Sequence, residues 1–159
     1  MPDLNLLILS ISIALALAYA YANGMNDAAN AVATVISTRA LTPVTAIIMG
    51  ATLNFAGAMM GTAVAKTIGK GIIDPSLMTQ YAVLSAIAAS VIWVFSATRL
   101  GLPVSVSHSL VAAVVGSGVA VAGWGGLNTA IVAKVLLALA LSPLFGFVGG
   151  FLLMILLFW

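Results

Sequence analysis

The sequence contains no cysteine and very few charged side chains. The absence of cysteine excludes disulfide bonds and thiolate metal sites. Charged residues make up 5% of the chain, whereas a soluble domain usually carries about 25%. The five basic residues are also too scattered to form a nucleic-acid-binding patch. These shortages exclude a soluble globular domain and a nucleic-acid partner.

The chain is instead mainly apolar, with 64% hydrophobic residues in a total of 159. Roughly 20 apolar residues span the hydrocarbon of a bilayer. Five segments are long and apolar enough to enter it: Leu6–Ala22, Pro43–Ala65, Leu77–Thr98, Leu102–Gly123 and Leu127–Trp159. The sequence therefore predicts an all-α integral membrane protein with about five membrane segments, forming one transmembrane domain over residues 1–159.

Polar residues, glycine and proline predict where the helices are interrupted. The first helix is predicted to give way to a half-helix at the stretch NGMNDAAN, which begins at Asn23. Residues 66–75 are predicted to form a polar loop, because glycine and proline recur there. The polar start GLPVSVSHS, at Gly101, predicts a re-entrant half-helix in the fourth segment. Pro143 and the glycines after it are predicted to break the last segment in two.

Residues 23–38 place a polar stripe on one side of a helix. At 100° per residue, all the polar side chains fall within about 60° of one line. These are Asn23, Asn26, Asp27, Asn30, Thr34, Ser37 and Thr38. An ionisable group in a membrane segment costs roughly 2.5–3.5 kcal/mol, which makes Asp27 a functional-site hypothesis. Because the nearest basic residue is Arg39, a sodium ion or a proton from solution is its predicted partner. The alternative is that Asp27 only caps a half-helix.

A second polar group surrounds the start of the fourth segment, at Ser105, Ser107, His108 and Ser109. If a half-helix begins here, its unpaired N–H groups and positive dipole end attract an anion. A serine-rich cap with a structural histidine is the alternative. Asn54 is either an interhelical hydrogen bonder or a cavity ligand. Together these residues predict an ion-coupled anion transporter with discontinuous helices, without identifying the anion.

Three motifs resemble elements of the inorganic phosphate transporter (PiT-type) family. Gly24-Met-Asn-Asp-Ala-Ala-Asn-Ala31 resembles the family signature G-x-N-D-x-A-N-A. Leu53-Asn-Phe-Ala-Gly57 resembles the segment that follows it in bacterial and archaeal members. Pro103-Val-Ser-Val-Ser-His108 resembles the element P-x-S-x-T-H. The motifs keep the family's order and spacing and cover most of the chain.

The resemblance implies a multi-pass protein of a prokaryotic cell membrane that carries inorganic phosphate together with sodium or protons. It implies no enzymatic activity and no covalently bound cofactor. Carried over by position, the phosphate ligands would be Asp27, Asn30, Ser105 and Ser107. The sodium ligands would be Asn23, Asn26, Asp27, Asn54 and Ser105. Thr34 and His108 would be accessory residues.

The chain departs from the family pattern in three places. Ser107 replaces a threonine, and Asn54 stands where some relatives carry a glutamate. The signature occurs once, whereas family members carry it twice, in two halves of inverted topology. The chain is therefore predicted to be one inverted-repeat unit, similar to the N-terminal half. It would pair either with a second half of a longer transporter or with a second copy in the opposite orientation.

Three other functions compete with phosphate transport. Sulfate is carried by relatives with the same motifs, although phosphate still donates a proton at pH 7 and Asp27 would favour it as an acceptor. A non-transporting membrane scaffold would use the polar residues only to join helices. An intramembrane enzyme would rely on Ser105, Ser107, His108 and Asp27, but no nucleophile elbow or second acidic residue supports it.

Overall fold

The computed structural model describes residues 2–159, and these residues are almost entirely helical. The helices are α1 (Pro2–Ser37), α2 (Pro43–Met60), α3 (Ala63–Gly71), α4 (Gln80–Arg99), α5 (Val106–Ala122) and α6 (Thr129–Phe158). A short 3₁₀ turn lies at Trp124–Gly126. Within residues 2–159 there is no β-strand, only an isolated bridge between Ile73 and Leu127. Helices α1, α2, α4 and α6 are long and apolar enough to cross a membrane. The predicted all-α membrane fold is confirmed.

Four helices begin at side chains that cap their first turn. Thr42, Thr79, Ser105 and Asn128 precede α2, α4, α5 and α6, and each side-chain oxygen accepts a hydrogen bond from the N–H three residues later. Such caps satisfy N–H groups that have no partner inside the helix. Pro43 follows one of these caps, at a first helical position where its fixed φ suits the helix.

One apolar cluster joins α1, α4 and α5. Ala22, Val94 and Val106, one from each helix, are completely buried and in contact. The Tyr19 hydroxyl donates a hydrogen bond of 3.1 Å to the carbonyl oxygen of Val106. The Ser90 hydroxyl donates one of 3.4 Å to the carbonyl oxygen of Ser109. The first turn of α5 is therefore held against the middle of α1 and the second half of α4.

A second cluster joins the end of α3 to α5 and α6. Ile72, Ile73 and Val111 form its buried centre. The Asn128 N–H donates a hydrogen bond of 2.9 Å to the carbonyl oxygen of Ile72. Gly118 of α5 lies directly against the Ile73 side chain, which leaves no space for a side chain at position 118. The first turn of α6 is thereby fixed beside the end of α3.

Helix α1 is continuous, so the predicted interruption at Asn23 is wrong. The helix runs for 36 residues through the whole Asn-rich stretch. No proline occurs between Pro2 and Pro43, and alanine, the best helix former, occupies positions 28, 29 and 31 around Asn30. The Asn30 side-chain nitrogen lies 3.5 Å from the carbonyl oxygen of Asn26, four residues earlier on the same helix. Polarity alone does not break this helix.

The predicted loop at residues 66–75 is also partly wrong, because α3 occupies its first part. Only residues 72–79 form a connection, and Asp74 organises it. The N–H and hydroxyl of Ser76 donate hydrogen bonds of 2.9 and 2.7 Å to Asp74 Oδ1. The two hydrogen bonds hold the pKa of the Asp74 carboxyl below its usual value, and the bond from the Ser76 hydroxyl has the larger effect.

Pro143 does not divide the last segment, contrary to the prediction. It lies inside α6, which runs unbroken for 30 residues. Proline has no N–H to donate to the carbonyl oxygen of Leu139. The Ser142 hydroxyl donates to that oxygen instead, at 3.0 Å. The carbonyl therefore keeps a partner in an apolar environment, and the helix continues.

Helix α5 begins later than the predicted fourth segment. The backbone before Ser105 is not helical, and the helix has 17 residues. At 1.5 Å per residue it is about 26 Å long, less than the roughly 30 Å of hydrocarbon. This length is consistent with a helix that starts inside the membrane, and the re-entrant geometry stays a prediction.

The contact between Gly118 and Ile73 predicts a stability difference between two neighbouring glycines. A Cβ at position 118 would lie 2.8 Å from Ile73 Cγ1 and closer still to Cδ1, so Gly118→Ala must displace a buried side chain. We expect the apparent Tm of the detergent-solubilised protein to fall by at least about 3 °C. At Gly116, no described atom lies within 4 Å of the added Cβ. Gly116→Ala should therefore leave the Tm unchanged or slightly higher, and equal losses in the two variants would contradict the packing of Gly118.

Candidate functional site

A groove between α1 and α2 contains three of the predicted site residues. Its volume is about 780 Å³. Asn23 and Asp27 line it from α1, and Asn54 lines it from α2. The other lining residues are alanine, glycine, valine and isoleucine. A Cβ at Gly50 would lie 3.2 Å from Val32 Cγ1, so the two helices are close together at this level.

The groove has the chemistry of a site for a hard cation. Asp27 supplies a carboxylate, and Asn23 and Asn54 can supply amide oxygens. Hard cations such as sodium favour oxygen ligands of these kinds. Among the described residues that line the groove, none is basic. The Asp27 carboxylate is exposed to the groove, so a cation from solution can reach it.

Asn26 faces α4 and does not line the groove. Its side-chain nitrogen donates a hydrogen bond of 2.9 Å to Thr98 Oγ1 of α4. Thr98 Oγ1 in turn donates to the carbonyl oxygen of Val94 at 2.8 Å. The structure therefore separates Asn26 from Asp27, although the two were predicted to bind sodium together.

The remaining polar residues of α1 lie outside the groove. Asn30 is exposed and does not line it. Thr34 is exposed near the end of α1, where its carbonyl oxygen accepts hydrogen bonds from the hydroxyls of Ser37 and Thr38. The predicted stripe thus lies across two seams, one against α2 and the other against α4.

Ser105 and His108 form a local pair at the first turn of α5. Ser105 Oγ accepts a hydrogen bond of 3.3 Å from the His108 N–H and lies 2.6 Å from His108 Nδ1. Both residues are exposed. Neither lines the α1–α2 groove, so the structure does not place them beside the Asp27 carboxylate.

Ser107 lies in a different groove, formed by α3, α5 and α6. Thr67 and Lys134 line the same groove, and it shares no lining residue with the first one. The predicted phosphate ligands Asp27 and Ser107 are therefore not brought together in this chain.

Sequence reasoning overlooked three residues that the structure connects to these sites. Tyr19 and Thr98 position the first turn of α5 and the Asn26 side chain. Lys134 brings a positive charge to the second groove. A signal for Lys134 was available, since it is the one charged residue of the α6 sequence.

The Asn26–Thr98 hydrogen bond predicts energetic coupling between α1 and α4. We expect Asn26→Ala and Thr98→Val to show a coupling of about 0.6 kcal/mol, and at most about 1.7, in a double-mutant cycle. Unfolding free energies would be measured by denaturant titration in mixed micelles. Asn26→Ala combined with Thr79→Val, at the far end of α4, should be additive. Additive effects at Asn26 and Thr98 would show that this hydrogen bond contributes nothing measurable.

Comparison with known proteins identifies the family. Residues 23–159 match the family described as "Phosphate transporter family". A probable low-affinity inorganic phosphate transporter of Bacillus subtilis is 46% identical over 133 residues, which are 82% of this chain and 40% of that protein. A probable low-affinity inorganic phosphate transporter of Streptomyces halstedii is 44% identical over 156 residues, 94% of this chain and 71% of the relative.

A solved structure described as "The sodium-dependent phosphate transporter" superposes with a TM-score of 0.86 at 35% identity. The superposition covers 94% of this chain and 38% of that chain. In the sequence comparison, the chain spans about 40% of the length of the Bacillus subtilis relative. On the evidence of this match, which extends from Asn23 to Trp159, the chain belongs to the phosphate transporter family, a family of transporters rather than enzymes.

Proposed function

We propose that this chain is one half-unit of a cation-coupled secondary transporter of inorganic phosphate, with sodium as the coupling ion. The observation that carries the proposal is the α1–α2 groove, in which Asp27 is the one ionisable residue among the described lining residues. The name of the similar solved structure, a sodium-dependent transporter, supports sodium over protons.

The sodium ion binds to the Asp27 carboxylate and to the amide oxygens of Asn23 and Asn54. A carboxylate in a membrane protein needs a counter-charge, and the lining residues provide none. A bound sodium ion neutralises the negative charge of Asp27 when phosphate is present. Asn26, held by Thr98, positions α1 against α4 and does not ligate the ion.

Phosphate binds at the first turn of α5. Helix geometry leaves the N–H group of Ser107 without a partner in α5, and the helix dipole favours an anion there. The Ser105 hydroxyl and the exposed Asn30 amide supply further hydrogen-bond donors. Because Ser107 directs its side chain to the other groove, its backbone N–H rather than its hydroxyl would contact phosphate.

The two proposed sites lie on helices that are in contact. Ala22 of α1 contacts Val106 of α5, and Asp27 lies five residues further along α1, a rise of about 7.5 Å with its side chain turned by about 140° from that of Ala22. Without sodium the Asp27 carboxylate repels phosphate, and a bound sodium ion removes that repulsion. Coupling between two bound ligands is reciprocal, so sodium raises the affinity for phosphate and phosphate raises the affinity for sodium.

Sulfate is the competing substrate. At pH 7 phosphate still carries a proton that it can donate, whereas sulfate does not. Asp27 would accept such a proton only when sodium does not occupy it, so selectivity must be measured directly. We expect excess sulfate to leave phosphate uptake unchanged.

A half-subunit that transports only with a partner is the second candidate. It is favoured by one observation, that the chain spans about 40% of the Bacillus subtilis relative. A second half, or a second copy of this chain in the opposite orientation, would then complete the site across the exposed face of the α1–α2 groove.

The proposal predicts that Asp27→Asn abolishes sodium-dependent phosphate transport, because the neutral amide cannot balance the charge of sodium. The full chain would be reconstituted in proteoliposomes, and uptake of labelled phosphate measured with an inward sodium gradient, an inward proton gradient or neither. Asp3→Asn is the matched control, since Asp3 is an exposed carboxylate in the first turn of the same helix. It should transport at the normal rate.

Binding of labelled sodium to the purified chain separates the outcomes. Sodium binding that Asp27→Asn removes, without uptake by the normal chain, would favour the half-subunit, and crosslinking would then identify its partner. Uptake by a proven monomer would exclude the idea that a lone copy is inactive. Normal transport by the Asp27→Asn variant would remove Asp27 from the mechanism.

A further inference from the structure

The groove between α3, α5 and α6 has a polar end and apolar walls. Its volume is about 340 Å³. The polar side chains are Lys134, Thr67 and Ser107, and the apolar lining consists of Ala63, Ile68, Val111, Val135, Ala138 and Leu139. The Thr67 hydroxyl donates its one proton to the carbonyl oxygen of Ala63 at 3.0 Å, and that proton can turn to a ligand in the groove only by leaving this bond.

Lys134 and Thr67 lie at the same level on facing helices. A Cβ at Gly71 of α3 would lie 3.2 Å from Ile131 Cγ2 of α6, so the two backbones are close there. Thr67 is four residues before that contact on α3, and Lys134 is three residues after it on α6. Both residues line the groove, so the two helices continue side by side over this turn.

Lys134 lies at the depth at which a lysine reaches lipid headgroups. It is five residues from the start of α6, about 7.5 Å along the helix. The exposed Trp124, in the turn just before α6, is typical of the membrane–water interface. A lysine near such a boundary extends its ammonium group towards the headgroups. Among the described residues that line the groove, none is acidic, so the protein itself does not neutralise this charge there.

We propose that this groove binds an anionic phospholipid. The phosphate of the headgroup pairs with Lys134 and accepts a hydrogen bond from Thr67 when the hydroxyl proton turns away from Ala63, and an acyl chain follows the apolar wall formed by Val135, Ala138 and Leu139. Basic pockets between membrane helices are suited to such headgroups. The continuous apolar wall beside the cation favours an amphiphile, because a free oxyanion has no group that could use it.

This lipid site is separate from the groove that contains Asp27, since the two grooves share no described lining residue. Ser107 takes part in both proposals, with its N–H at the proposed phosphate site and its side chain in the lipid groove. Asp27→Asn should therefore leave lipid binding unchanged, and a failure of the transport proposal would not affect the lipid proposal.

The test is native mass spectrometry of the purified full chain in detergent, with added phosphatidylglycerol, phosphatidylcholine or inorganic phosphate. We expect phosphatidylglycerol to bind, and Lys134→Gln to weaken that binding by about fivefold. Lys66→Gln is the matched control, because Lys66 is an exposed lysine of α3 that does not line the groove. It should bind phosphatidylglycerol as the unmodified chain does.

Two further variants keep the test decisive if Lys134→Gln impairs folding. Lys134→Arg should retain binding, since it retains the charge. Ala138→Phe should weaken it by at least about fivefold, since it fills the apolar wall and leaves Lys134 in place. Equal losses in Lys134→Gln and Lys66→Gln, or equal binding of phosphatidylcholine and phosphatidylglycerol, would overturn the proposal. Displacement of the lipid by millimolar inorganic phosphate would also overturn it and would indicate a site for the free ion.

Discussion

The rotation of α1 about its own axis is set by one contact, that of Ala22 with Val94 and Val106. The small alanine side chain allows the three helices to approach closely, and it fixes which face of α1 points to α4 and α5. Since each residue turns the helix by 100°, Asn26 remains near that face and reaches Thr98. Asn23 and Asp27 are turned towards α2. Which residues line the α1–α2 groove therefore depends on the buried methyl group of Ala22, which does not itself line the groove.

This dependence explains how much of the site could be predicted. The residue types and the spacing on α1 indicated oxygen ligands for a cation, and two of those residues, Asn23 and Asp27, share a groove with Asn54 of α2. The sequence could not assign Asn26 and Asp27 to different seams, because a stripe about 120° wide can face one neighbour or two. Only the contact with α4 decides between these arrangements. For Ser107, the deciding contacts lie on α3 and α6, far away in the sequence.

The fold class and the long apolar segments were predictable because hydropathy and segment length depend on composition alone. The predicted interruptions failed where the chain supplies a replacement partner for the backbone. At Pro143 the Ser142 hydroxyl bonds the carbonyl oxygen that proline leaves without a donor. In α1, helical hydrogen bonds persist through the asparagines, and none of the residues there forces a departure from helical φ and ψ. A proline or a polar cluster thus predicts a break only when no neighbouring group takes over its backbone partners.

The uninterrupted length of α1 has a consequence for the route by which ions enter. Its 36 residues extend about 54 Å, and even a tilt of about 40° leaves roughly 41 Å along the membrane normal, more than the roughly 30 Å of hydrocarbon. One end must therefore project into the aqueous boundary. Both ends carry a charged residue, Asp3 in the first turn and Arg39 in the turn that follows the last. Asp27 lies about 16 Å from that turn along the helix. The α1–α2 groove is lined by α1 residues as far as Ile36, next to that turn. Under the proposed function, an ion that enters from this side would therefore reach the carboxylate along the groove.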